Sequence, residues 1–350
     1  MGETNLYSYS KDQYWITGYK ETKIGKVPII STGLVGRDIL GGIRVRVKGS
    51  MRDTYRIRPG LYCAGNPDEH SPVLVTANYK LTFDNFRKEL NGIDCWILVI
   101  DSKGINVWCA AGKGTFGTSG VIEWIRTAGL RDLVDHNTII LPQLGAPGVS
   151  AHIVKKETGF RVVYGPVRAR DIAAFLENKL KKDKKMRTVE FKLKDRLVLV
   201  PLEFMVSLPV LVVAFILIFI ADWIFSGSID LKKTLLDYIP FASAVIAGSV
   251  IVPILLPYIP VRSFIVKGML AGVVLAVIIN IAYRPTVLSG IAYFINITTT
   301  SSILALAFIG ATTFTSVSGV TREVKVKLFV LFPLLFASIA IGLASKIFAV

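Results

Sequence analysis

The last 150 residues hold five long apolar stretches, at about 203–225, 237–258, 264–283, 287–315 and 327–349. Each is near or above the roughly 20 residues that a helix needs to cross a bilayer. Lipid cannot hydrogen-bond a bare backbone, so such stretches are restricted to helices, and this half of the chain is expected to be an all-α transmembrane domain of five helices. The fourth stretch is interrupted by Asn296 and the polar run 298–302, whose hydroxyls are expected to bond back to their own helix or a neighbour. Arg262, Lys267, Arg322, Lys325 and Lys327 lie in loops on one side, the side of the basic segment before the first stretch. Lys232, Lys233, Arg284 and Lys346 lie on the other. The excess of positive charge marks the cytoplasmic side, so everything before residue 203 is expected in the cytoplasm and the C-terminus outside, in a multi-pass protein of the cytoplasmic (inner) membrane. No stretch shows the charge pairs or broken-helix pattern of an ion-coupled pump, so this half reads as an anchor or docking platform.

The chain carries 41 Lys+Arg against 25 Asp+Glu, a net charge of +16. A basic chain invites a nucleic-acid reading. Segment 179–196, with nine basic and three acidic residues just ahead of the first apolar stretch, fits instead the flank of a membrane span facing anionic lipid, and no nucleic-acid partner is expected. The N-terminus has no apolar h-region, so no cleavable signal is expected. Cys63, Cys95 and Cys109 form no C-x-x-C pair, so they are read as free thiols, with Cys63 and Cys95 packed in the core.

Between these limits the sequence alternates short apolar runs with helical patterns. Strands are expected at 73–77, 96–101, 105–108, 138–141 and 161–164, and helices at 83–90, 120–129, 149–158 and 168–182. That alternation describes an α/β domain with a mostly parallel, Rossmann-like sheet that binds ligands at the C-terminal ends of its strands. Residues 1–60 are less legible, with a short strand expected at 43–47. The resulting division is an N-terminal extension (1–58), the α/β domain (59–182), a basic linker (183–202) and the transmembrane domain (203–350).

One motif in the α/β domain carries chemistry: Asn106, Val107, Trp108, Cys109, Ala110, Ala111, Gly112 and Lys113. A free cysteine beside a strand is usually a small buried hydrophobe. Here Trp108, Ala110 and Ala111 would admit a large flat ligand, and Lys113 places a cation near the sulfur, favouring the thiolate that ligates metals. Gly112, Gly114 and Gly117 form a turn whose amides can face a ligand. Gly145–Ala146–Pro147–Gly148 before a helix could either hold anionic groups or simply turn the chain, and Gly165 ends a strand on the same side. His136 reads as a solvated loop residue and His152 as a helix-surface or packing residue.

The segments NVWCAAGKGTFGT, SPVLVTANYKLTFDNFRKEL and LPQLGAPGVSAHIVKKETGFRVVYGPVRARD resemble the corrinoid proteins of bacterial and archaeal mercury methylation, the HgcA family. The likeness runs from about Pro59 to Asp171 and, by architecture, into the five-helix half. The corrinoid domain is also similar to that of the corrinoid iron–sulfur protein of the acetyl-CoA pathway. That relative has a four-cysteine cluster region, no membrane spans and no cysteine in this motif. The resemblance implies a cobalamin-type corrinoid bound base-off. Its cobalt would take Cys109 thiolate as lower axial ligand, presented from a cap helix formed by Asn106 to Lys113. Thr76, with Asn78 beside it, would lie toward the opposite face of the corrin, and Gly145, Ala146 and Gly165 would line the crevice. The implied activity is a methyltransferase that passes methyl from methyl-Co(III) to Hg(II), giving methylmercury; a strongly donating sulfur trans to the Co–CH3 bond favours departure of a carbanion equivalent. The implied partners are a ferredoxin-like protein with two [4Fe–4S] clusters (HgcB) and a methyl-tetrahydrofolate-linked methyl donor enzyme. The histidine-ligated alternative is not supported, because Asp135–His136–Asn137 lacks the D-x-H-x-x-G spacing and neither His70 nor His152 supplies it. Two other readings stay open: a corrinoid methyl carrier for another acceptor in one-carbon metabolism, and a non-catalytic membrane sensor.

Overall fold

The runs VLVTA and CWILVI offer water almost nothing, and both become central strands buried along their whole length. They are β4 (Val73–Ala77) and β5 (Cys95–Ile100) of a seven-stranded sheet in a computed structural model, which describes residues 13–48, 51, 54–308 and 317–348. The other strands are β1 (Ile16–Thr22), β2 (Gly25–Ile30), β3 (Gly60–Ala64), β6 (Thr138–Leu141) and β7 (Arg161–Tyr164), in the order β1-β2-β3-β5-β4-β6-β7. β5, β4, β6 and β7 run parallel; β3 joins β5 antiparallel, and β1 and β2 form an antiparallel hairpin at the edge. The chain divides into two compact units, Met1–Val189 and Glu190–Val350.

In the first unit, helices α1 (Gly36–Val47), α2 (Lys80–Arg87), α3 (Val107–Lys113), α4 (Thr118–Thr127), α5 (Leu130–Leu133), α6 (Ala151–Thr158), α7 (Ile172–Glu177) and α8 (Lys184–Arg187) accompany the sheet. The pleat sorts the central strands into two cores. Val73, Val75, Ala77, Trp96, Leu98 and Ile100 face Val107 and Ala110 of α3 and Val121 and Ile125 of α4. Leu74, Cys95, Ile97 and Val99 face Phe83 and Phe86 of α2 and Phe175 of α7. Burial pushes the Cys63 thiol up to about 11 and the Cys95 thiol up to about 12, so both are protonated structural residues.

Three local expectations change. The strand expected at 43–47 is the last turn of α1: Asp38, Gly42 and Val45 are its buried residues, and that helical spacing outweighs the β-branched residues in the run. The strand expected at 105–108 is the N-terminus of α3, where the Asn106 side chain caps the first turn. The helix expected over 168–182 is a 3-10 turn, Ala169–Asp171, followed by the short α7; Lys179 and Leu180, both at positive φ, end it.

A buried charge cluster ties α1 to α2. Lys80 Nζ lies 2.7 Å from Asp38 and 2.6 Å from Asp84, while Arg87 contacts Asp38 at 2.7 Å and Asp84 at 2.9 Å. Tyr14 Oη donates to Asp38 at 2.5 Å, and Lys80 sits over the Trp15 ring at 4.5 Å. Two cations against two carboxylates leave the cluster neutral, the condition under which buried charge is tolerable.

The second unit begins with the short α9 (Leu193–Leu197). It continues with α10 (Val200–Ser226), α11 (Leu231–Ile246), α12 (Val252–Leu255), α13 (Phe264–Tyr283), α14 (Val287–Ala307), α15 (Val317–Val326) and α16 (Phe332–Ile347), with π-helical turns at Ala247–Ile251 and Lys327–Leu331. Five helical segments are long and apolar enough to cross a membrane: Leu193–Ser226, Leu231–Leu255, Phe264–Tyr283, Val287–Ala307 and Thr321–Ile347. The end of the fourth expected stretch, 309–315, lies outside the described residues. Gly268 and Gly272 let α13 approach α14 closely; a Cβ on Gly268 would stand 2.5 Å from Ser302 Cα, and one on Gly272 2.8 Å from Thr298 Cα. The hydroxyl run bonds back in part: Thr299 Oγ1 donates to Ile295 O at 2.5 Å, Ser301 Oγ to Gly268 O at 2.8 Å and Ser302 Oγ to Thr298 O at 2.8 Å, whereas the buried hydroxyls of Thr298 and Thr300 have no hydrogen-bond partner among the described residues.

Charge pairing within this unit, not expected from the sequence, is present. Lys346 of α16 pairs with both Asp222 of α10 and Asp237 of α11, and Tyr293 of α14 donates to Asp237 at 3.4 Å. The partners stand 124 and 109 positions apart in the chain, so no single span reveals the pairing.

Candidate cofactor site around Cys109

The parallel strands order as β5-β4-β6-β7, so successive crossovers go to opposite sides of β4, and a crevice is expected outside the carboxyl ends of β4 and β6. Asn78 follows β4, the segment 101–109 follows β5, 143–148 follows β6 and Gly165 follows β7. Most of the candidate site residues therefore share one edge of the sheet.

Cys109 lies in the first turn of α3 and is exposed, whereas Cys63 and Cys95 are buried. Asn106 holds it twice: its Oδ1 accepts the Cys109 backbone N–H at 3.0 Å and its Nδ2 donates to Sγ at 3.5 Å. Val107, Ala110 and Ala111 are buried and anchor the helix. Trp108 (40 % exposed), Cys109, Gly112 and Lys113 form the outward face. Lys113 stands one turn beyond the sulfur on that face. No histidine is set to act as a base for the thiol: His70 pairs with Asp135 at 2.7 Å, His136 contacts Ser71 O at 2.9 Å and His152 contacts Ser150 Oγ at 2.9 Å. A placed, exposed sulfur without a neighbouring base is suited to ligation more than to acyl-type nucleophilic chemistry.

The glycines around α3 serve its seating. Gly114 ends the helix at φ +79°. The N–H groups of Gly114 and Phe116 return to Ala111 O and Ala110 O, so these amides close the helix instead of facing outward. A Cβ on Gly148 would lie 2.4 Å from Phe116 O and 2.9 Å from Ala111 Cα, and one on Gly145 would lie 2.7 Å from Phe116 Cε1. The loop carrying Gly145 and Ala146 thus forms the floor beneath α3. Gly165 is buried over Ile140 and Leu141.

Thr76 is buried within β4, and the pleat turns it to the Leu74 face, opposite the face on which α3 packs. Asn78 is fully buried and its amide is occupied within the chain by Asp101, Ser102 and Gly104. Sequence reasoning missed Ser102 and Phe116 as parts of the seat, and it named Gly148 only within a loop that could hold anionic groups or turn the chain. The turn signature Asp-Ser-Lys-Gly at 101–104 was the available signal.

Residues 45–176 match the family described as the CO dehydrogenase/acetyl-CoA synthase delta subunit. The chain is 37 % identical over 128 residues to the acetyl-CoA decarbonylase/synthase complex subunit gamma of Methanopyrus kandleri, covering 36 % of this chain and 27 % of that one. It is 35 % identical over 131 residues to the subunit of the same name from Methanocaldococcus jannaschii, covering 36 % and 26 %. With the subunit from Archaeoglobus fulgidus the identity is 30 % over 137 residues, covering 39 % and 29 %. The chain thus spans roughly a quarter of the length of the curated relatives it matches, and the family match falls within the first unit.

Proposed function

We propose that the chain is a membrane-anchored, corrinoid-dependent methyltransferase of the HgcA kind, taking Hg(II) as methyl acceptor and giving methylmercury. The observation that carries this reading is the exposed Cys109 sulfur, held by Asn106 on a short helix at the ligand-binding edge of a domain similar to subunits of the acetyl-CoA synthase system. The residues present suit a corrinoid. Cys109 would ligate the cobalt, and the outward face of α3 offers beside it the Trp108 indole, Gly112 and the single charge of Lys113. The bound cofactor would supply a metal that accepts a methyl group and releases it to a soft acceptor. The chain's own part is to present the sulfur, to keep Cys63 and Cys95 buried away from the metal, and to hold α3 on its glycine floor. Thr76 and Asn78 would support this edge from beneath, with Gly145, Ala146 and Gly165 shaping the crevice.

The activity requires low-potential electrons and a methyl source. A ferredoxin-like partner with two [4Fe–4S] clusters and a methyl-tetrahydrofolate-linked enzyme would supply them. The five apolar helices would anchor the protein in the cytoplasmic membrane lipid, with the first unit in the cytoplasm and the C-terminus outside.

The test is anaerobic purification of the full chain with its ferredoxin-like partner, followed by the absorption spectrum of the bound cofactor and a methylmercury assay for wild type and Cys109→Ala. Corrinoid absorbance, with methylmercury formation lost in the variant, is the expected result. Absence of corrinoid from the wild type would overturn the reading. The names of the relatives favour one second reading, a methyl carrier for another acceptor in one-carbon metabolism. Bound corrinoid without mercury methylation by the wild type would decide for it.

A further inference from the structure

We propose that Asn78 is a positioning residue for Cys109, fixing through its buried amide the loop that delivers the sulfur to the sheet edge. Its relevance to cobalt rests on the function proposed above; its action on the loop does not.

Asn78 is 0 % exposed and sits at the end of β4, 31 positions before the sulfur. Its backbone N–H donates to Ile100 O at 3.0 Å and its carbonyl accepts from Ile57 N at 2.9 Å, so it extends the sheet by one residue. The side chain then crosses to the next segment. Oδ1 accepts from Ser102 N at 3.0 Å and from Gly104 N at 3.0 Å, and Nδ2 donates to Asp101 Oδ1 at 2.9 Å. Ser102 Oγ lies 2.9 Å from Asn78 Oδ1 and 2.6 Å from Ile105 O, so its single proton is shared between them. One amide group thus engages three residues, Asp101, Ser102 and Gly104, of a five-residue loop.

That loop needs holding. Lys103 and Gly104 are both left-handed, at φ 59° and 72°, and for Lys103 this is a strained conformation that persists only when its surroundings over-determine it. Asp101 Oδ1 helps by accepting Lys103 N at 2.9 Å. The loop ends at Asn106, whose side chain grips Cys109. The path from a buried sheet residue to the sulfur is therefore continuous in hydrogen bonds and backbone.

An aspartate at position 78 keeps the acceptor but loses the donor and repels Asp101; pairing it with an asparagine at 101 returns a donor to the pair at unchanged net charge, although the atom that then faces position 78 no longer accepts Lys103 N. Three forms are compared as the full apo chain in detergent: Asn78→Ala, Asn78→Asp, and Asn78→Asp combined with Asp101→Asn. Amide hydrogen exchange over 101–110 is followed, with iodoacetamide uptake as the check on folding, because only Cys109 of the three thiols is exposed. Expected are one labelled thiol throughout, exchange at 102–109 faster by about fivefold or more in the two single variants with β4 and β5 unchanged, and partial recovery in the double variant, which regains the 78–101 bond but not the one to Lys103. Wild-type exchange in Asn78→Ala would overturn the proposal. Should a single variant label three thiols, the double variant decides: one thiol and partly restored protection support the proposal, and three thiols overturn it. Aquocobalamin is then added to each form. Unaltered cobalt absorbance in Asn78→Ala would overturn the positioning of the sulfur toward cobalt. No binding by the wild type would overturn the corrinoid reading while leaving the loop result intact.

Discussion

Gly148 lies against Ala111 so closely that a single added methyl group would stand 2.9 Å from the Ala111 Cα and 2.4 Å from the carbonyl oxygen of Phe116. The neighbours are backbone on both sides, so relief requires one segment to move. Gly148→Ala is expected to displace α3 and to lower stability by about 1–3 kcal/mol, the usual range for overpacking. Thermal unfolding and the iodoacetamide rate of Cys109 check this together; an unchanged midpoint with an unchanged rate would mean the loop yields freely.

Alkaline unfolding tests the two buried thiols. Burial raises Cys63 to about 11 and Cys95 to about 12, so the folded chain keeps both protons above the ordinary thiol range while the unfolded chain loses them. Their contribution to stability is complete below about pH 9 and is lost as pH rises toward 12, with a slope of up to about 1.4 kcal/mol per thiol per pH unit. Urea unfolding between pH 8 and 11 is expected to show the decline, and Cys63→Ala combined with Cys95→Ala to flatten it while lowering stability throughout. An equal slope in both proteins would place its origin elsewhere.

The charge cluster in the first unit answers to Lys80. Burial pushes Asp38 up, but hydrogen bonds from Lys80, Tyr14 and the Val35 amide more than offset this and hold it well below the usual carboxylate range. Lys80→Met leaves two carboxylates facing one guanidinium in a site closed to water, and a loss of about 3–5 kcal/mol is expected. For Asp38 the sign is fixed by its lowered value: its contribution is present above the ordinary carboxylate value near 4 and is lost as pH falls further. Denaturant melts at pH 7 of wild type and Lys80→Met test the magnitude; a loss under 1 kcal/mol would show the cluster to be hydrated in solution.

In the second unit, Lys346 stands between Asp222, which is 3 % exposed, and Asp237. Lys346→Met strands two carboxylates, so it is expected to destabilise the detergent-solubilised protein more than Lys346→Met combined with Asp222→Leu, where one stranded charge is removed as well. Aggregation temperature of the four members of this cycle gives the coupling directly. Additive effects would show that the two side chains do not interact.

The strands at 73–77, 138–141 and 161–164 were legible to the residue because each is a short apolar run bounded by turn residues, the pattern a parallel strand imposes. The membrane half was legible for a related reason, since length and apolarity alone define a crossing helix. Cys109 stood out by residue type and neighbours, yet its local structure did not. Ile105 and Val107 read as strand until the Asn106 cap is seen to start a helix. The seat of that helix was hidden further, because Gly148 matters only once Ala111 is known to face it. The pairing of Lys346 with Asp222 and Asp237 joins helices from both ends of the bundle, and no local window contains it. From the sequence Asn78 is a candidate cofactor-binding residue, but its side chain meets the loop after β5, a contact that follows from parallel crossover geometry and not from spacing.

The order of the two units along the chain has a consequence for biosynthesis. Everything that seats Cys109, from Asn78 to Gly148, emerges from the ribosome before any of the five apolar helices, and domains fold as units in the order they are made. The sulfur is therefore in place before the apolar half of the chain is complete, and a cofactor of the kind proposed would not have to wait for that half.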